Sequence, residues 1–207
     1  MIPSKTPRFI SSYFGKYVWE IPNDDNEIFL TFDDGPIPEV TPWILDLLKK
    51  FNIKATFFCV GENIIKHSKI FERLIAEGHQ VGNHTYNHLS GWKTDTDNYI
   101  DNIKKTDAVL NQYGVSTALF RPPYGKLKPH QSKAVRNTGK NIIMWSVLTK
   151  DYDPGLKSDT VYNNFLKASA GSIIVCHDNI KAFDHIKNAL PKAIQALLRK
   201  GYVFKTL

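Results

Sequence analysis

Apolar and polar positions along the chain repeat one pattern: an amphipathic stretch, a glycine or asparagine, then a short continuous run of β-branched and aromatic residues. The punctuating residues are Asn52, Gly78, Gly114, Gly139, Gly171 and Gly201, each suited to the left-handed conformation that ends a helix. They recur roughly every 25 to 36 residues, the length of one strand plus one helix. Reading outward from them predicts helices over 41–51, 68–77, 98–113, 129–138, 158–170 and 184–200. In the first, Ile44, Leu45, Leu47, Leu48 and Phe51 form an apolar stripe of period 3.6, with Thr41 as cap and Pro42 at the first helical position.

The runs between these helices predict seven strands: EIFLTF, KATFFCV, HQVGNH, STALF, NIIMWSV, GSIIVCH and YVFKTL. Most are continuously apolar rather than alternating, the signature of strands covered on both faces, and hence of a parallel sheet in an α/β fold. The unusual polar clusters all fall just past the carboxyl end of a strand. DDGP follows IFLTF, NHTYNH follows QVG, RPPYG follows ALF, TKDYD follows MWSVL, and HD follows IIVC. Parallel α/β folds gather their active sites on that rim, and five strands converging on it favour a barrel over a two-strand crevice. The chain reads as one domain, 1–207, with 1–27 as an N-terminal extension.

Composition narrows the picture little. With 207 residues and 42% hydrophobic content the chain can bury a full core, and no apolar run is long enough to span a membrane. The excess of 27 Lys and Arg over 20 Asp and Glu is dispersed, without a nucleic-acid-binding arm. Cys59 and Cys176 sit in apolar strands, as buried thiols rather than a disulfide or zinc knuckle. The start has no hydrophobic signal region, which as given predicts a cytoplasmic protein, or an extracytoplasmic one if a leader was removed. The expectation is a monomer.

The rim clusters carry chemistry. His84 and His88 are four apart, so on a helical turn both imidazoles would face one side and share a metal, with either Asp33 or Asp34 supplying an oxygen. Two histidines and one carboxylate leave positions open for water, as catalytic sites require. In RPPYG two prolines remove two N–H donors, so the amide of Tyr124 is the first free one and is rigidly held where an oxyanion would sit. Arg121 can grip a carboxylate. His177 ends an apolar strand on the rim as a candidate acid or base, with Asp151 as its candidate partner.

The ordered set TFDDGP, NHTYNH, RPPYG, WSVLTKDY and IIVCHD, within Phe29 to Asp178, resembles the polysaccharide deacetylases of carbohydrate esterase family 4. The resemblance implies a distorted (β/α) barrel of about seven parallel strands. It also implies metal-dependent removal of N-acetyl groups from an acetylated polymer or oligomer of N-acetylglucosamine or N-acetylmuramic acid. Carried over by position, Asp33 would be the general base, and Asp34, His84 and His88 the ligands of a divalent metal, most often Zn2+, with Co2+, Ni2+ or Mn2+ as alternatives. Arg121 would hold Asp33, the Tyr124 amide would donate to the oxyanion, and His177, tuned by Asp151, would be the general acid.

Three positions depart from the family pattern. Leu148 stands where an aspartate is usual and Tyr152 where a tryptophan is usual, which alters a groove wall; Val175 replaces a leucine and widens the pocket expected for the acetyl methyl. Competing readings are an O-acetyl esterase or small-amide hydrolase on the same scaffold, a catalytically decayed carbohydrate-binding protein, and a binder of anionic polymers.

Overall fold

The computed structural model describes residues 3–207. The chain enters through α1 (Arg8–Tyr13) and then alternates: β1 (Glu27–Asp33), α2 (Val40–Lys50), β2 (Thr56–Cys59), α3 (Gly61–Lys66), α4 (Ser68–Ala76), β3 (Gln80–Asn83) and α5 (Thr96–Gln112). There follow β4 (Leu119–Phe120), α6 (Pro129–Asn137), β5 (Asn141–Ile142), β6 (Val147–Leu148), α7 (Ser158–Phe165), β7 (Ile173–His177), α8 (Ile180–Arg199) and β8 (Val203–Lys205). Short 3-10 turns lie at Gly91–Lys93 and Pro123–Gly125. Asn52 and the five predicted glycine stops all adopt positive φ, between 53° and 83°.

Every strand pairing is parallel, in the order β5-β4-β3-β2-β1-β7-β6. Phe29 pairs with both Ile173 of β7 and Lys205 of β8, so β8 occupies the edge of β1 that β2 takes over at Thr31. The expected single strand over 141–147 is two strands at opposite ends of this order, β5 against β4 and β6 against β7. Residues 143–146 alone join them, so the sheet curls until its outer edges nearly meet, giving the distorted barrel. The N-terminal segment fills the seam: Val18 bridges Ile143, Lys5 bridges Val147 and Glu20 bridges Ser172.

Alternation within β1 decides what reaches the site. Ile28, Leu30 and Phe32 join the main core under the helices, together with Ile44, Leu45 and Leu48 of α2 and Ile186, Leu190 and Ile194 of α8. The opposite face carries Phe29, which packs with Phe58, Ile143 and Ile173 inside the barrel, followed by Thr31 and Asp33. The inner wall is therefore apolar at the bottom and polar at the top.

Five local expectations differ. Helix α2 starts at Val40 with Glu39 as its cap residue, so Thr41 and Pro42 lie inside the first turn, and the Thr41 hydroxyl instead accepts from Ile37 N–H and donates to Asp178. Residues 84–88 form a loop rather than a helical turn. Helix α3 has one short apolar pair and no side-chain cap, and carries too little periodicity to predict. Helix α7 ends at Phe165, where the chain turns and Ser169 N–H donates to Ser172 Oγ (2.9 Å). Helix α8 starts at Ile180 because Asn179 caps it, its side-chain oxygen accepting from Ala182 N–H (3.0 Å).

Candidate metal centre and catalytic rim

Three ligand atoms, one each from Asp34, His84 and His88, lie within 4.8 Å of one another. Their positions follow from the chain around them. His84 follows β3, and its Nδ1 donates to the Arg121 carbonyl at 2.7 Å, which leaves the Nε2 lone pair facing Asp34. His84 Nε2 is 3.5 Å and His88 Nε2 3.0 Å from Asp34 Oδ1. That oxygen is buried and has no hydrogen-bond partner. A lone pair aimed at an unpartnered carboxylate oxygen is unfavourable without a cation between them, so the donor set fits a divalent metal.

Asp34 is held on all sides. Its φ is 91°, its carbonyl accepts from Asn63 Nδ2 (2.7 Å), and its other carboxylate oxygen accepts from Asn179 Nδ2 (2.5 Å). Burial alone would raise its carboxyl, but the His84 and His88 imidazoles and the charge on His177 hold it well below its ordinary range. Behind it, Asp178 ties the DDGP turn to β7. Its carboxylate accepts from Gly35 N–H (2.8 Å) and Thr41 Oγ1 (2.6 Å), and its own N–H donates to the Asp33 carbonyl (3.0 Å). A side chain at position 35 would meet Asp178 Oδ2 at 1.8 Å, so only glycine fits. Burial, first, and the nearby Asp34 charge push the Asp178 carboxyl up to about 8 despite its hydrogen bonds.

Asp33, the last residue of β1, turns into the barrel, where Arg121 Nη1 donates to its Oδ1 at 2.7 Å. Arg121 is fully buried: it also donates to Thr31 Oγ1 and to the carbonyls of Ile143 and Met144, and its guanidinium lies 4.1 Å from the Phe58 ring centroid. Across the rim, Asp151 grips His177 twice, accepting from its backbone N–H (2.6 Å) and pairing with Nδ1 (2.7 Å). Burial would lower the His177 pKa, but Asp151, with Asp34 and Asp33 behind it, raises it to about 10. A cation on Asp34 would offset part of that rise. The Tyr152 ring stands edge-on to His177 at 5.2 Å.

All eight residues singled out in the sequence thus come to one rim: Asp33, Asp34, His84, His88, Tyr124 and His177 line a cavity of about 690 Å³, and Arg121 and Asp151 stand directly behind. Leu148, Tyr152 and Val175 line the same cavity. Tyr124 has φ 61°, and its exposed ring packs on His88 at 4.7 Å. Asn63 and Asn179 were not singled out in the sequence, and Thr31 and Asp178 stood within TFDDGP and IIVCHD without a role. Only Asp178 and Asn179 carried a signal there, as polar residues directly after His177 on the rim.

A family model described as polysaccharide deacetylase matches residues 20–143. Over 196 residues the chain is 42% identical to a peptidoglycan-N-acetylglucosamine deacetylase of Bacillus cereus, covering 92% of this chain and 70% of that protein. It is 36% identical over 156 residues to a chitooligosaccharide deacetylase of Rhizobium leguminosarum bv. phaseoli, covering 73% and 67%. Among solved structures, it is similar to a peptidoglycan N-acetylglucosamine deacetylase in complex with 4-naphthalen-1-yl-N-oxidanyl-benzamide, with TM-score 0.89, 40% identity and coverage of 98% and 95%.

Proposed function

The chain belongs to the polysaccharide deacetylase family, and from that premise we propose that it is a metal-dependent hydrolase that removes N-acetyl groups from N-acetylglucosamine in peptidoglycan or chitin-type oligosaccharides. The observation that carries this reading is the division between two adjacent aspartates: Asp34 faces the histidine pair, while Asp33 is turned away and held by Arg121. Zinc is the ion we assign, because two imidazoles and one carboxylate with positions left open are its catalytic donor set. When bound, it would polarise the amide carbonyl and make a water acidic.

The chain's own groups supply the rest. Asp33, fixed by Arg121, accepts the proton of the attacking water. Negative charge developing on the carbonyl oxygen is met by the Tyr124 amide, whose position the two preceding prolines restrict. His177, kept protonated by Asp151, delivers its proton to the departing amine, which otherwise would leave as a strongly basic anion. An ester would not need that proton, so dependence on His177 separates amide from ester hydrolysis.

The test is mass spectrometry of N-acetylglucosamine oligomers and solubilised peptidoglycan after incubation with zinc-loaded protein, beside Asp33→Asn. Loss of acetyl mass with the parent alone is the expected result. No loss from either substrate, with zinc confirmed bound, overturns the reading.

A further inference from the structure

Trp92 stands outside the wall of the catalytic cavity, yet its place is built from below. It lies in the 3-10 turn Gly91–Lys93 and is 60% exposed. Gln131 of α6 is fully buried against that turn: its Nε2 donates to the carbonyls of Gly91 (2.9 Å) and Thr94 (3.0 Å), and its Oε1 accepts from Lys128 N–H (3.0 Å). Lys128 Nζ donates to the Thr94 carbonyl as well (2.9 Å). A Cβ at Gly91 would meet the Lys126 carbonyl oxygen at 2.6 Å, so the turn also abuts the segment that follows RPPYG. The backbone is thus fixed on both sides of Trp92, and a large apolar ring is held out in water on a rigid base, forgoing the burial that an indole usually contributes.

The indole is continuous with the site. Lys126 Nζ lies 5.2 Å from the Trp92 ring centroid and 5.9 Å from that of Tyr124, whose ring packs on His88 at 4.7 Å. Tyr124 is itself exposed, so two open rings with a cation between them extend the rim outward from the metal position. From this arrangement we infer that Trp92 is a stacking platform for a sugar a few units along the same glycan from the reacting N-acetylglucosamine, and that it makes the protein discriminate long oligomers from short ones. The inference rests on the deacetylase reading and adds to it a specificity-determining residue outside the reacting cavity. A β-linked, gluco-configured pyranose carries its substituents equatorially, so its two faces present C–H bonds, an apolar surface that matches an aromatic face. Stacking removes both surfaces from water while the sugar hydroxyls stay solvated at the ring edge. Because the turn is fixed before the sugar arrives, little further ordering is needed on binding.

The experiment compares the dimer and the hexamer of N-acetylglucosamine, with acetate release by the zinc-loaded chain giving kcat and KM for each. The parent should favour the hexamer. Trp92→Ala should lower the hexamer-to-dimer ratio of kcat/KM roughly ten-fold, as for a truncated aromatic anchor, with the change in KM rather than kcat. Trp92→Phe, which keeps a ring, should recover most of that ratio. Tyr13→Ala, which removes an exposed ring from α1, should leave the ratio unchanged. No preference for the hexamer, an unchanged ratio in Trp92→Ala, an equal loss on dimer and hexamer, or a Trp92→Phe variant no better than Trp92→Ala overturns the proposal. If no oligomer releases acetate, the deacetylase reading fails. Dissociation constants of zinc-loaded Asp33→Asn for dimer and hexamer, with and without Trp92→Ala, need no turnover and then decide the platform alone: a hexamer preference that Trp92→Ala erases upholds it, and equal affinities or a preference that survives overturn it.

Discussion

At the end of the barrel where helices hand over to strands, the left-handed turns are taken by Asn52, Gly78, Gly114, Gly139, Gly171 and Gly201; at the opposite rim, glycine takes positive φ at Gly125, but it also falls on Asp34, Glu39, Thr85, His88, Tyr124 and Lys150. The backbone problem is the same at both ends, a reversal after an element. At the first end no side chain is required, so glycine or asparagine takes the conformation at little cost. At the rim the side chains are the purpose. Asp34 and His88 point at the metal position, the Tyr124 ring supports His88, and Lys150 immediately precedes Asp151. Each left-handed residue there costs about 1–2 kcal/mol, offset by the packed sheet beneath.

The sharpest way to separate the two ends is to remove chemistry at the rim while leaving its backbone alone. Asp33→Asn should keep the metal and lose turnover by about 10²- to 10⁴-fold, the range for a general base. Asp34→Asn should lose the metal itself, visible as absent zinc after dialysis. Normal turnover in both variants would refute the division of roles. Asp151→Asn should cost about 10²-fold and move the alkaline limb of the activity profile downward. The sign follows from the pairing: Asp151 holds the His177 pKa up at about 10, so without it His177 gives up its proton at lower pH. An unshifted alkaline limb would assign that limb to another group.

Asn179 should show a smaller effect that a purely structural residue would not produce. Its side chain does two jobs, capping α8 and holding Asp34 Oδ2. Asn179→Ser keeps a capping oxygen but gives up the reach to Asp34. Zinc affinity should fall roughly ten-fold, as for other residues that orient a ligand, with melting temperature nearly unchanged. A drop in melting temperature with unchanged zinc affinity would make Asn179 only a cap.

The same contrast explains what could be read from the sequence. Helix stops were legible because glycine and asparagine at a helix end state a local backbone requirement. Asp33, Asp34, His84, His88, Arg121, Asp151 and His177 were legible because charged and imidazole side chains at the ends of apolar strands are locally costly. The split of 141–147 into β5 and β6 was not legible, since one continuous apolar run does not reveal that its two halves pair with opposite edges of the sheet. Nor was the support from Asn63, which reaches the site only through a tertiary contact, and the histidines converge through a loop whose positive φ values at Thr85 and His88 have no sequence signature.

The finest test exchanges residue types between the two ends. Gly139 has φ 81°, and a Cβ there would meet nothing within 4 Å, so Gly139→Ala measures backbone cost alone. It should destabilise by about 1 kcal/mol in urea titration, without change in turnover. Lys150 has φ 61° on the rim, and its carbonyl accepts from Asp153 N–H, a bond any residue can keep. Lys150→Gly removes about 1–2 kcal/mol of left-handed strain and adds about 0.5–1 kcal/mol of unfolded-chain entropy. The net should be a stabilisation of about 0.5 kcal/mol, opposite in sign to Gly139→Ala. If Lys150→Gly instead destabilises, the rim holds Lys150 through its side chain, and the strain assigned to that position is not stored there.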